Sequence, residues 1–219
     1  MTVIENRMTA QTPVHAADTT SRGRSPIQAR SRDRVDRILA MATEIIADRG
    51  SDYLKMSDLA ARAGVSIGSL YQYFPDKAAV IRALTERTHA GSRRCIEDAL
   101  APVRSQDELA DAFNGLIDVY WSLFLTQPAM RDIWAGAQAD KALVDLELAE
   151  SRRHGERLAA AIRRARPDAD PDRIGPTAFL VWQLGEATMR LAISLPRAEG
   201  DAVVAAYKRM SVEAILTAG

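Results

Sequence analysis

Residues 53–77 read Tyr53-Leu-Lys-Met-Ser-Asp-Leu-Ala-Ala-Arg-Ala-Gly-Val-Ser-Ile-Gly-Ser-Leu-Tyr-Gln-Tyr-Phe-Pro-Asp-Lys77, and their spacing describes two short helices packed across a tight turn. Ser57 is a good N-cap residue and Asp58 behind it favours the positive helix end, so a helix is expected to start there. Leu59, Ala60 and Ala63 share one face, Ala60 being small where a second helix must cross closely. Gly64 tolerates positive φ and lets the chain reverse. Val65 then plugs the corner, Ser66 caps the second helix, and Leu70 and Phe74, at i and i+4, pack backward. Ile67, Gly68, Ser69, Tyr71, Gln72 and Tyr73 are left on the outer surface. A face so poor in charge and rich in hydroxyl, amide and aromatic groups suits groove and phosphate contact. This is a helix-turn-helix, and it points to DNA.

Lys77 stands at the start of the next helix, after Pro75 and Asp76, where a cation opposes the macrodipole. The placement makes sense if the lysine and the helix amides jointly receive a phosphate. The candidate DNA contacts are therefore Lys55, Ser57, Ser66, Ile67, Gly68, Ser69, Tyr71, Gln72, Tyr73 and Lys77. Ser57, Tyr71, Tyr73 and Lys77 are expected on phosphates, and Ile67, Gly68, Ser69 and Gln72 near base edges, where a glutamine pairs bidentately with adenine.

The segment Gly64–Lys77 resembles the signature of the TetR (tetracycline-repressor) family of bacterial transcription regulators. The likeness covers roughly residues 33–85 and includes Gly50, Ser57, Ala60, Gly64, the Leu70-Tyr71 and Tyr73-Phe74 pairs and Lys77. It implies an all-α fold with a three-helix head on a larger helical body. It also implies a small-molecule pocket among the body helices and a homodimer built from the last two helices.

The composition bounds agree. At 219 residues and 47% hydrophobic residues, the chain has room for a small head and one larger domain with its own core. Formal charge is zero overall but unevenly shared: residues 1–94 hold 15 Lys and Arg against 10 Asp and Glu, the remainder 14 against 19. That asymmetry marks the N-terminal part as the nucleic-acid side. The single cysteine, Cys95, excludes an intrachain disulfide and fits a reducing cytoplasm. Cys95 is either a small apolar core residue or a redox-sensitive thiol. His15, His89 and His154 lack ligand spacing, so no metal or cofactor is expected.

Residues 1–30 show no sustained apolar periodicity and no hydrophobic segment that would serve as a signal peptide; they read as a disordered arm. Its last part leads into a basic run of Arg22, Arg24, Arg30, Arg32 and Arg34, suited either to following DNA or to solubilising the chain. Residues 31–77 form the expected DNA-binding domain and 78–219 the ligand-binding and dimerisation domain. In the head, Val35, Ile38, Leu39, Ala42, Ile45 and Ile46 give an apolar stripe over a helix from Asp33 to Arg49, closed by Gly50. A fourth helix runs from about Asp76 to Leu100 with Val80, Ile81, Leu84, Cys95, Ile96 and Ala99 inward. Body helices are expected near 106–126, 128–138, 140–166, 171–195 and 199–217, set by Pro128, Asp140, Pro167, Asp170-Pro171-Asp172, Pro196 and Gly200.

Aromatic residues concentrate between 113 and 134 in a chain with only 5% of them. Phe113, Ile117, Tyr120, Trp121, Phe124 and Trp134, with Trp182 opposite, are candidates to line the implied pocket, and equally able to fill a core. Tyr120, Gln138, His154, Gln183 and Glu186 would orient a ligand. For dimerisation, Gly185 and Ala192 allow close backbone approach. Val181, Thr188, Leu191 and Leu195 supply area, with Val203, Val204, Tyr207, Met210 and Ile215 as a second stripe. The expected function is a ligand-responsive repressor on a palindromic operator, released by a small apolar or amphipathic molecule. The alternatives are a constitutive DNA-binding protein and a helical enzyme or carrier; for the last, the sequence offers no nucleotide loop, triad or metal cluster.

Overall fold

The computed structural model describes residues 26–127 and 141–217, with Ala129 and Ile133 between them. Among these residues there are eight α-helices, one 3-10 turn and no strand. The helices are α1 (Pro26–Arg49), α2 (Met56–Ala63), α3 (Ile67–Tyr73), α4 (Lys77–Leu100), α5 (Gln106–Thr126), α6 (Lys141–Ala165), α7 (Pro171–Ile193) and α8 (Arg197–Thr217). The described residues fall into two compact units, one of residues 26–88 with Ala129 and Ile133, the other of 89–127 and 141–217. No described helix is long and apolar enough to cross a membrane.

The first unit is the three-helix head. Ile38, Leu39, Ala42, Ile45 and Ile46 bury the predicted stripe of α1 against Leu54 and the small face of α2, Leu59, Ala60 and Ala63. Gly64 takes the left-handed conformation, φ 64° and ψ 37°, and the Val65 amide donates to the Ala60 carbonyl, closing α2. Ser66 caps α3 by accepting from the Ser69 amide at 3.1 Å. Leu70 is fully buried, and Phe74 folds back into the core immediately after α3 ends. Burying side chains of this size stabilises the head by about 1.5–3 kcal/mol each.

Two local expectations are corrected. α2 begins at Met56 with Lys55 as its N-cap, so Ser57 lies within the first turn and its hydroxyl is not the cap; the extended backbone of Lys55 already presents its carbonyl to the Leu59 amide. α1 begins at Pro26 rather than Asp33, so residues 26–30, read as part of a disordered arm, are helical. Proline fits a first helical turn, where its missing N–H is no loss. The Ser31 hydroxyl also ties this extension to α3 by donating to the Tyr73 hydroxyl at 3.4 Å. Arg22 and Arg24, and most of the 128–138 segment, lie outside the described residues.

In the second unit, starts and stops follow the punctuation in the sequence. A reciprocal capping box joins Ser105 and Glu108 at the start of α5. Asp170 caps α7 through the Asp172 amide at 2.9 Å, with Pro171 in the first turn. α6 and α7 pack closely, and a methyl at Gly155 of α6 would stand 2.9 Å from the Phe179 Cα. α7 also packs on α8: the Tyr207 hydroxyl donates to the Val181 carbonyl at 2.6 Å across the space above Gly185. The Trp121 indole donates to Asp201 at 2.7 Å, fixing α5 to the first turns of α8.

Candidate DNA-binding face and effector site

The outer face of α3 is built as the spacing predicts. Ile67 and Tyr71 are 44% and 49% exposed, Gly68 and Gln72 are also open to solvent, and Ser69 and Tyr73 are half-buried. Ser66 stays exposed while capping, and Lys55 and Ser57 are exposed on the first turn of α2. Ser31's hydrogen bond, with the Arg34 guanidinium close by, pulls the Tyr73 phenol below its ordinary pKa. Because Ser31 is the donor, the Tyr73 O–H remains available to donate outward. Lys77 donates to the Asp52 carbonyl at 3.4 Å, so it also ties α4 to the 3-10 turn Ser51–Tyr53. Asp76 caps α4 by accepting from the Ala79 amide at 2.7 Å.

The pocket candidates divide. Phe113, Ile117, Trp121 and Phe124 are all buried. Phe113 lies 6.2 Å from the Tyr207 ring and Trp121 binds Asp201, so both belong to the packing of α5 against α8. Tyr120, on another face of α5, meets Trp182 edge-on at 6.2 Å, and the His154 ring lies tilted against Trp182 at 4.9 Å. Glu186 accepts from the Ser151 hydroxyl at 2.7 Å. Trp134 and Gln138 lie outside the described residues.

Around Tyr120, His154, Trp182 and Glu186 stands a buried polar cluster that aromatic content does not reveal. α4 brings His89, Ser92 and Arg93; α6 brings Glu147, Glu150 and Ser151. Glu150, almost wholly buried, accepts from Arg93 at 2.7 Å and from Arg153 on the same oxygen. Burial alone would push the Glu150 carboxyl up, but the hydrogen bonds and charges of Arg93 and then Arg153 hold it below its usual range. Burial drives His154 down to about 4, against an opposing pull from Glu150, and lowers His89 in the same way. Burial raises Glu186 and the Tyr120 phenol. The signal was present in the sequence: Leu143, Glu147, Glu150, Ser151, His154 and Leu158 share one helical stripe, so polar groups occupy positions that packing reserves for apolar ones. Cys95 is buried, and no described group of three or more His, Cys, Asp or Glu is placed to hold a metal ion.

The dimerisation candidates also divide. Val181, Gly185, Ala192 and Tyr207 are buried within one chain, where they pack α7 on α8. The small residues here bring two helices of the same chain together. Thr188, Leu195 and Val203 are half-buried and Met210 is 69% exposed. Leu180, Leu184 and Leu191, 58%, 47% and 52% exposed, form an open apolar row along α7 at i, i+4 and i+11.

Residues 38–84 match the family of bacterial regulatory proteins named for tetR, and residues 107–218 match the tetracyclin repressor-like C-terminal domain. The chain belongs to the TetR family. It is 32% identical to the transcriptional regulator BetI of Cronobacter sakazakii over 152 residues, covering 66% of this chain and 70% of BetI. It is 38% identical to the regulator YvdT of Bacillus subtilis over 53 residues, 24% of this chain and 27% of YvdT, so that match spans about a quarter of the relative's length. Among solved structures, a TetR-family regulator from Mesorhizobium loti shares the fold with a TM-score of 0.68 at 21% identity, covering 85% of this chain and 96% of that one. Both halves of this TetR-family chain, head and body, thus carry the family's pattern.

Proposed function

We propose that this TetR-family protein is a homodimeric repressor that leaves a palindromic operator when a small amphipathic effector enters the body. The observation that carries it is α3: a helix pinned by buried Leu70 that exposes Ile67, Gly68, Tyr71 and Gln72 together, between Ser66 and Lys77. In this mechanism Ser57, Tyr71, Tyr73 and Lys77 hold phosphates while Ile67, Gly68, Ser69 and Gln72 meet base edges. The Leu180, Leu184, Leu191 and Met210 surface, with Thr188, Leu195 and Val203 beside it, pairs with its copy. A two-fold pair places two α3 helices about 34 Å apart on one face of DNA. Effector binding shifts α4 and re-spaces the heads; a coupling of about 1–3 kcal/mol changes operator affinity roughly 5 to 150-fold, and DNA weakens effector binding equally.

Selection of bound sequences from a random duplex library tests this directly. An inverted repeat with half-sites about one helical turn apart supports the proposal. Recovery of no common sequence, or of a single unpaired half-site, contradicts it.

A further inference from the structure

Resting on the proposal that the body holds an effector, we propose that this effector is a cationic amphiphile whose protonated amine or amidine replaces Arg93 on Glu150, between His89 and His154, and so frees α4 from α6. Three buried atoms define the seat: Glu150 Oε2, His89 Nδ1 and His154 Nε2 have no hydrogen-bond partner among the described residues. Glu150 and His154 are each 3% exposed and His89 9%. Both guanidiniums on Glu150 use its other oxygen, Oε1.

The chemistry of these atoms selects the ligand. A carboxylate oxygen is only an acceptor, so the incoming group must donate. The imidazoles, kept neutral by burial, adapt as acceptor or donor to what stands between them. An anionic head would face the carboxylates of Glu147, Glu150 and Glu186, all on the surrounding helices. A cation that takes the place of Arg93 meets their field favourably, with Arg153 still on Glu150, and the Tyr120, Trp182 and His154 rings in mutual contact beside it suit an apolar body.

The same geometry supplies regulation. Glu150 is buried while the Arg93 side chain is 34% exposed, so the arginine returns to water readily, whereas the carboxylate, left with Arg153 alone and with Oε2 unpartnered, gains from a replacement cation. Exchange of one cation for another keeps Glu150 compensated and removes the ion pair between α4 and α6. Ligand charge is thereby converted into freedom of the helix that follows the head in the chain.

The test uses the full chain and three matched probes: 2-phenylethylammonium, its N-acetyl derivative and 3-phenylpropanoate. Calorimetric titration is expected to show binding of the ammonium alone. Glu150→Gln should weaken that binding by about tenfold or more, and Arg93→Gln, which removes the competitor, should tighten it several-fold while weakening operator affinity in the absence of probe. Opposite responses of the two variants separate exchange from a general loss of fold. Equal binding of all three probes, preference for the carboxylate, no binding, or the same response from both variants overturns the proposal. Operator release is read in parallel against neutral and anionic amphiphiles. Release by one of these leaves the effector-responsive function standing and removes the cationic class, whereas ammonium binding without release removes the exchange step.

Discussion

At Gly64 one residue decides whether the chain can turn between α2 and α3. Its φ of 64° lies where a side chain is strained, yet a methyl added there would meet nothing within 4 Å. The penalty for Gly64→Ala is therefore conformational, about 1–2 kcal/mol, and urea unfolding should show it. Gly155→Ala differs in kind, because its methyl would press on the Phe179 backbone at 2.9 Å; overpacking of this sort costs about 1–3 kcal/mol and should force α6 from α7. Gln72 tests recognition: Gln72→Ala should lose about 1–3 kcal/mol on the best operator and relax preference at one base-pair position, measured by competition with single-base variants. Equal loss on every sequence would make Gln72 a phosphate contact.

Among the elements, the polar stripe of α6 governs the pH response. Burial lowers His154 from 6.5 to about 4, so the unfolded chain takes up this proton more readily, and stability falls as pH drops from about 6.5 towards 4. The loss from His154 is about 3 kcal/mol by pH 4, with His89 acting in the same direction. Glu186, raised by burial, works the other way as it takes up its proton. Thermal unfolding from pH 7 to 4.5 should therefore show a decline that His154→Gln flattens; parallel curves would place the titration elsewhere. The legibility of each element follows its physics. Caps and prolines act locally, which is why Ser66 and Asp170-Pro171 marked their helices in the sequence to within a residue or two. Gly185 and Tyr207 were ambiguous because a small residue permits close approach without saying which helix approaches. The His89, Glu150 and His154 cluster joins α4 to α6 across a long sequence separation, so only polar residues at core spacing hinted at it.

For the whole molecule, the open row on α7 is the proposed dimer face. Leu184→Glu places a charge in the proposed dimer face without touching the intrachain packing of Gly185 and Tyr207. It should give folded monomers by sedimentation and reduce operator binding sharply, since each half-site contact is then made alone. An unchanged dimer would move the interface elsewhere. The charge division along the sequence belongs to the same scale: the basic excess lies in residues 1–94 and the acidic excess in the rest, which orients association with a polyanion. The decisive measurement is equilibrium binding of the full chain to its selected duplex and to a scrambled one across salt, beside a Tyr71→Ala, Lys77→Ala variant. Specific binding that weakens with salt is expected, with the variant weaker and its salt slope shallower by about one for the lost lysine contact. No preference for the selected duplex, or identical curves for the variant, would contradict DNA recognition through α3.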